Sequence, residues 1–304
     1  MATDDRPELA DRPRVGYLGP EGTFSEEVLL ASAAPDAVEP VGLASIYDTV
    51  MALRHGELSW AVVPIENSLE GSINVTLDLL AAEASDVEIV GEALLRVRHS
   101  LIAAEPIGLA EIETVITHPQ VPGQCERFLR GELAHARIVP ASSTAEAVRS
   151  VVAGPGRGQA ALGTTLAAKI YGGTVVREGV EDRDDNETRF VWLARAGQAN
   201  EPPLRARATA EWKTSLVFWG PGVDSPGWLV RCLDEFGRRS INLTKIESRP
   251  RRARLGAYMF FADLAGRVGE EAVDEAIAGV TALCEELRVL GSYRAARPPA
   301  APAS

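Results

Sequence analysis

Between residues 14 and 194, short apolar runs bounded by turn residues alternate with stretches of helical periodicity. The runs are RVGYLG from residue 14, WAVVPI (60–65), VEIVGEALLRV (87–97), HSLIAA (99–104), TVITH (114–118), ARIVP (136–140), QAALG (159–163) and RFVWLA (189–194). Short runs rich in Val, Ile and Leu read as buried strands. Strands that alternate with helices predict an α/β sheet with substantial parallel content.

A different rhythm follows. ARAGQANEPPLRARATAEW (194–212), rich in Ala, Pro and charge, reads as a linker. KTSLVFWG (213–220) reads as a strand, and SPGWLVRCLDEFGRR (225–239) as a helix with proline in its first turn. INLTKIESRP (241–250) and GAYMFFADL (256–264) are strands joined by a basic turn. GEEAVDEAIAGVTALCEELR (269–288) is a helix with acid in its first turn, and VLGSY (289–293) closes the set. The order β-α-β-β-α-β is the ferredoxin-like split motif. The expected organisation is therefore an α/β domain over 14–193, a linker over 194–212, an α+β unit over 213–293, and loose tails at 1–13 and 294–304.

At 304 residues the chain exceeds what one core usually serves, in keeping with two domains. Its net charge of -12 argues against nucleic acid, whose phosphates need clustered Lys and Arg. An anionic ligand must then be held by local donors against the overall field. Cys125, Cys232 and Cys284 are widely spaced, odd in number and without a CxxC pattern, which excludes a disulfide framework or zinc ribbon and fits a reducing compartment. The start, MATDDRPELADRPR, has no apolar h-region, and no run approaches the ~18 apolar residues of a membrane span. The expectation is a cytosolic protein with no metal, no membrane partner and no nucleic acid.

Four strands of the first domain run into small-residue loops that open helices. GYLGPEGTFSEEVLL places Thr23 or Ser25 as N-cap, and VVPIENSLEGSINVTLDLL puts Asn67 and Ser68 after a strand and Gly71 before a helix. IVPASSTAEAV carries a capping box, Ser143 with Glu146, beside Thr144; AALGTTLAAKI puts Gly163 and Thr164 at a helix start. Helix N-termini present free N–H groups and partial positive charge, which suits carboxylates. Strand ends of this kind converge on one crevice. By themselves the loops define a ligand cleft and no reaction.

In order and spacing, GPEGTFSEEV, VPIENSLEGSINVTLDLL, ITHPQVPGQCERFL, SSTAEAV, AALGTTLAAKIYGG and VEDRDDNETRFVWLA resemble the motifs of prephenate dehydratase. The second unit resembles that family's ACT regulatory domain, with INLTKIESRP as its signature. The resemblance implies two α/β lobes like those of type II periplasmic binding proteins, with crossovers near 93–98 and 176–183 and the active site between them. It implies a homodimer or homotetramer assembled through ACT domains, with phenylalanine bound there as inhibitor. It implies no cofactor. The reaction expels carbon dioxide and water from prephenate and leaves phenylpyruvate, so the site must assist the departing hydroxyl while orienting two carboxylates.

The resemblance assigns the essential role to Thr188 of Thr-Arg-Phe, as donor to the departing oxygen. Arg189 is a carboxylate ligand or a structural salt bridge: if Thr188 faces the cleft, strand alternation turns Arg189 away and brings Phe190 back. Glu66 is a second acid or a hinge carboxylate. Asn67, Ser68, Gly71, Thr23, Ser143, Thr144, Gly163, Thr164, Arg189 and Phe190 are the expected substrate contacts. His99, His118 and Gln120 are cleft candidates whose plain reading is structural hydrogen bonding, and Cys125 reads as core. The effector set is Asp224, Pro226, Gly227, Leu229, Asn242, Leu243, Thr244, Glu247 and Ser248. Trp228 departs from the small residue usual after this Pro-Gly, and is expected either to reshape the effector pocket or to pack across the subunit interface. The rivals are arogenate dehydratase, for which Glu66 or Glu70 would hold the substrate ammonium, and a non-catalytic binding or amino-acid-sensing protein.

Overall fold

The computed structural model describes residues 12–34, 36–154, 156–198, 201–205, 208–221, 224–251 and 255–297. The expected tails fall largely outside these, at 1–11 and 298–304, as do residues 199–200 and 206–207 of the expected linker.

The first lobe contains β1 (Arg14–Leu18), β2 (Glu39–Leu43), β3 (Trp60–Asn67), β4 (Gly71–Ser72) and β5 (Val87–Arg96). The second contains β6 (Ser100–Ala103), β7 (Thr114–Thr117), β8 (Arg137–Pro140), β9 (Gln159–Gly163) and β10 (Thr174–Arg177). The chain then returns to the first lobe as β11 (Glu187–Arg195), giving the sheet order β2-β1-β3-β11-β5 with β4 on β3. The second sheet runs β10-β6-β9-β7-β8. Strands β1, β2 and β3 are parallel, whereas β11 is antiparallel to both its neighbours, so each sheet is mixed. The lobes are joined twice, at 97–99 and 178–186. These crossings run side by side, Val97 N donating to Asn186 O at 2.8 Å and Val180 N to His99 O at 3.1 Å.

The third sheet has the order β13-β14-β12-β15, from β12 (Ala208–Trp219), β13 (Leu243–Pro250), β14 (Tyr258–Ala265) and β15 (Glu286–Ala296). With the helices Trp228–Gly237 and Glu271–Leu283 it makes the expected βαββαβ unit. One face, Leu216, Phe218, Ala262 and Leu264, packs on those helices. The other is not left to water. Val217, Trp219, Met259, Phe261, Leu290 and Tyr293 share one core with Val63, Ile65, Leu80, Ile89 and Val191 of the first lobe. The backbones approach closely at Gly291, where a Cβ would stand 2.0 Å from Ile89 O. Any side chain there would push the unit off the lobe. Among the described residues no helix is long and apolar enough to cross a membrane.

Several expected boundaries move. Gly227 at φ 77 is the N-cap of the helix that starts at Trp228, so Pro226 precedes the helix. The last helix ends at Leu283 and β15 begins at Glu286, because the alternation of residues 286–293 pairs with β12. Residues 294–296 extend β15 and are not a loose tail. Residues 194–195 and 208–212 are strand, which shortens the linker to 196–207. Its described part is tied down: Ala34 N donates to Pro203 O at 2.8 Å and Arg205 N to Ser32 O at 2.7 Å. Strands β2, β4 and β10 are additional; the polar EPVGL and the two-residue β4 carry little apolar signal.

Candidate active site

A cleft of about 430 Å³ opens between the lobes, lined by residues that include Thr23, Asn67, Glu70, His99, His118, Gln120, Gln124, Ser143, Thr144 and Thr188. Two helices begin there. Thr23 caps the helix Phe24–Ser32 by accepting from Glu26 N at 3.4 Å, and Ser143 caps Thr144–Ala153 by accepting from Glu146 N at 3.0 Å. Each leaves first-turn N–H groups for an anion, one from each lobe.

The β3–β11 ladder sets Thr188 opposite Asn67. Asn67 Oδ1 accepts from Leu69 N at 2.9 Å and Glu70 N at 3.0 Å, fixing the turn to β4. Its Nδ2 donates to Asn186 Oδ1 at 2.9 Å and to Thr188 Oγ1 at 3.0 Å. Because Thr188 Oγ1 accepts, its own proton is left to donate to another group.

A second set of bonds crosses the cleft. Gln120 Nε2 donates to Glu70 Oε2 at 2.6 Å and Gln124 Nε2 to Glu70 Oε1 at 2.8 Å. Gln124 Oε1 accepts from Asn186 Nδ2 at 3.3 Å and stands 3.0 Å from His99 Nε2. That carbonyl requires the His99 proton on Nε2, leaving a lone pair on Nδ1, which is buried without a partner. Burial pushes the His99 pKa down, against the pull of Gln124 and Glu181, so the ring is neutral. Phe24 meets it edge-on at 5.4 Å between ring centroids.

Of the expected contacts, Thr23, Asn67, Ser143, Thr144 and Thr188 line this cleft, with His99, His118 and Gln120. The others stand elsewhere. Arg189 faces the opposite side of β11, with Nε 2.7 Å from Glu92 Oε2, an Nη1 bond of 2.5 Å to Asp263 and Nη2 2.7 Å from Tyr293 Oη. Glu66 shares that side, 2.9 Å from Lys245 Nζ and 3.4 Å from Arg189 Nη1. Phe190 returns to the Thr188 face but is sealed in the core with Val15, Tyr17 and Trp192. Ser68 Oγ accepts from Glu187 N at 2.9 Å, holding the loop to β11. Gly71, at φ 84, makes the turn into β4. Gly163 lies where a Cβ would strike Val148 at 2.5 Å, and Thr164 Oγ1 donates to Gly22 O at 2.7 Å, tying lobe to lobe. Gln124 and Asn186 were missed, since the sequence marks them only as a helix residue and a turn residue. Cys125 is core, its thiol pushed up to about 12 by burial.

In the C-terminal unit a cavity of about 640 Å³ is lined by residues including Gly220, Asp224, Gly227, Trp228, Leu229, Arg251, Tyr258 and Phe260. Asp224, Gly227 and Leu229 therefore lie together, while Asn242, Leu243, Thr244, Glu247 and Ser248 belong to β13 and its approach. On β13, Thr244 and Ser248 are exposed, and Leu243 and Glu247 turn inward. Trp228 is 3% exposed, donates Nε1–H to Leu283 O at 2.6 Å, and packs 5.8 Å from the Phe260 ring. It forms a wall of the cavity and cannot reach out to another subunit.

Two α/β lobes crossed twice by the chain, with helix N-termini from both lobes at a polar cleft, define a two-lobed α/β scaffold with its cleft between the lobes. The model of prephenate dehydratase matches residues 15–198, and the chain belongs to that family. It is 38% identical over 289 residues to prephenate dehydratase of Mycobacterium bovis (strain BCG / Pasteur 1173P2), covering 92% of this chain and 86% of the relative. Among solved structures, prephenate dehydratase from Arthrobacter aurescens in complex with L-Phe is 34% identical, with TM-score 0.81 over 95% of this chain and 92% of that one. A protein described as a novel type of quorum-quenching acylase, GqqA, is 26% identical, with TM-score 0.81 over 93% and 98%.

Proposed function

We propose that the cleft is a prephenate dehydratase active site, a decarboxylating carbon–oxygen lyase acting in the cytoplasm, and that the βαββαβ unit is an ACT domain. L-Phenylalanine is its effector, held where Asp224, Gly227 and Leu229 of one chain meet the exposed face of β13 of a second, and the chains assemble through these units as a homodimer or homotetramer. The Arthrobacter relative with bound L-Phe supports the effector.

The observation that carries the reading is the Asn67–Thr188 pair. With its oxygen already accepting from Asn67 at 3.0 Å, Thr188 is oriented as a donor. In the reaction the ring C–CO₂⁻ bond breaks and its electron pair enters the diene. The C–O bond at the para carbon then breaks, and the hydroxyl takes one proton and leaves as water. Thr188 hydrogen-bonds the departing oxygen as charge grows on it, the stage at which a placed donor lowers the barrier. The capped helix ends at Thr23 and Ser143–Thr144 hold the carboxylates with neutral N–H donors. Such donors bind the ring carboxylate without pairing it to a full cation that would resist its conversion to neutral CO₂.

Arogenate would need a carboxylate for its ammonium; Glu66 faces the C-terminal unit, Glu70 stands at the cleft accepting from Gln120 and Gln124, and running arogenate beside prephenate separates the two substrates. Hydrolysis by acyl transfer would need a nucleophile beside a base. Among the described residues, no hydroxyl of the cleft is hydrogen-bonded to His99 or His118. The test is phenylpyruvate formation from prephenate, with arogenate alongside and phenylalanine absent or present. Prephenate turnover suppressed by phenylalanine is the expected result; a folded protein that turns over neither substrate overturns the enzyme reading.

A further inference from the structure

Adjacent rungs of one ladder serve the two domains. In β3 and β11, Asn67 pairs with Thr188 and the next rung is Glu66 with Arg189. The first rung faces the cleft. The second faces the C-terminal unit, where four ion pairs cross the interface: Arg189–Asp263, Lys213–Glu92, Lys245–Glu66 and, further along β13, Arg249–Asp78. The lobe supplies Glu92, Glu66 and Asp78 and the unit Lys213, Lys245 and Arg249; Arg189 already pairs with Glu92 and Glu66 inside the lobe, and docking gives each of those two a second cation.

Lys245 contacts the hairpin that borders the cleft. It lies on β13, where residues alternate between half-buried and exposed. On the inward face, Lys245 Nζ is 2.9 Å from Glu66 Oε1 and donates to Ser72 Oγ at 2.7 Å, and Ser72 Oγ donates to Glu247 Oε2 at 3.0 Å. Glu66 and Ser72 are register partners at the base of the β3–β4 hairpin. Lys245, 9% exposed, thus pins both strands of the hairpin whose tip carries Asn67 and Glu70. Glu70 in turn is gripped by Gln120 and Gln124 of the other lobe. Of the pinned rung, Glu66 adjoins Asn67 and Ser72 lies two positions from Glu70, and a strand pair cannot shift one rung without moving the next.

We propose that Lys245 is a positioning residue for the cleft: through Glu66 and Ser72 it sets the hairpin tip that carries Asn67 and Glu70, and it is the route by which a ligand on β13 acts on the two lobes. The second half rests on the effector reading above. A ligand on the exposed face of β13, at Thr244 or Ser248, displaces a strand whose other face holds the hairpin. The linker at 196–207 has no contact of this kind with a cleft residue among the described residues, being tied to the end of the helix Phe24–Ser32.

The experiment compares wild type, Lys245→Met and Lys245→Arg. Hydrogen exchange of the Leu69 and Glu70 amides is expected to quicken about tenfold in Lys245→Met and to return toward wild type in Lys245→Arg, with β9 unchanged as internal reference. The same variant is expected to raise the prephenate KM about fivefold with kcat within about twofold, because the binding loop loosens while Arg189 still holds β11. The ratio of turnover without and with saturating phenylalanine is expected to fall about tenfold, while calorimetry finds phenylalanine affinity within about threefold of wild type. Unchanged exchange at residues 67–72 overturns the positioning role, and an unchanged inhibition ratio, or one lost together with binding, overturns the route. If wild type neither binds nor responds to phenylalanine, the effector reading and the route fail together, and the exchange and KM measurements still decide the positioning role.

Discussion

Thr188 and Arg189 are neighbours on β11 in opposite settings. Thr188 Oγ1 lies on the cleft, 3.0 Å from Asn67 Nδ2, whereas the Arg189 side chain is 8% exposed and stands 2.7 Å from Glu92 and 2.5 Å from Asp263. One strand therefore carries both the proposed donor of the site and a cation paired with the C-terminal unit. A substitution at either position should be separable by what it damages.

At Thr188 the damage should be chemical. Thr188→Ala removes the donor while Asn67 Nδ2 keeps Asn186 Oδ1 and Glu187 O as acceptors, and the strand still buries Phe190 and Trp192. Loss of one placed donor costs roughly 100- to 1000-fold in kcat. Steady-state prephenate turnover, with the thermal midpoint recorded, should show that fall with the midpoint nearly kept, and Thr188→Ser should recover most of it. A Thr188→Ala enzyme with kcat near wild type would remove the hydroxyl from the mechanism.

At Arg189 the damage should be to stability. Arg189→Met leaves Glu92 and Asp263 facing each other across a buried interface with one cation gone. Breaking such a cluster from one side costs about 3–5 kcal/mol. Urea unfolding should show that loss, and pairing the change with Asp263→Asn should recover part of it, since the uncompensated carboxylate is then removed. A loss below about 1 kcal/mol would mean the cluster is solvated and is not the anchor.

The alternation that separates these neighbours was legible in the sequence, because a period of 2 assigns faces once one residue is placed. So were the helix caps at Thr23, Ser143 and Thr164, which rest on local chemistry. What was not legible lies in depth and in pairing across long separations. Phe190 returns to the Thr188 face as expected, yet sits two residues further in, past a register shift against β3, where the sheet is closed by Val15 and Tyr17. Gln124 and Asn186 meet Glu70 and Asn67 only because two crossings bring residues 54 and 119 positions apart into contact. The docking of the βαββαβ unit depends on Gly291 meeting Ile89 O, a contact that no pattern within either segment announces.

His99 supplies a pH test. Burial depresses its folded-state pKa below the ordinary value of about 6.5, so the unfolded chain binds the proton more readily. The sign follows: below about pH 6.5 the unfolded state takes up more protons, and stability falls as pH falls. Unfolding free energy measured between pH 8 and 5 should decline over the acidic part of that range. His99→Gln, which keeps a donor toward Gln124, should flatten the decline. An equal slope in both proteins would place the titrating group elsewhere.

Trp228 offers the last test, of the C-terminal cavity. Its indole packs against both rings of the stacked Phe218–Phe260 pair, and a Cβ on Gly220 would stand 2.7 Å from its ring, so the cavity wall is built around this side chain. Trp228→Ala removes the wall and leaves Leu283 O without its donor. A large-to-small change of this kind costs about 3–5 kcal/mol, and thermal unfolding should register it. The wider cavity then grips a small aromatic ligand less well. Calorimetry should find phenylalanine affinity about tenfold lower, with tryptophan binding improved relative to it. Because Trp228 is 3% exposed, the oligomer mass should not change. An altered mass with phenylalanine affinity intact would put Trp228 at a subunit contact, against its place in the core.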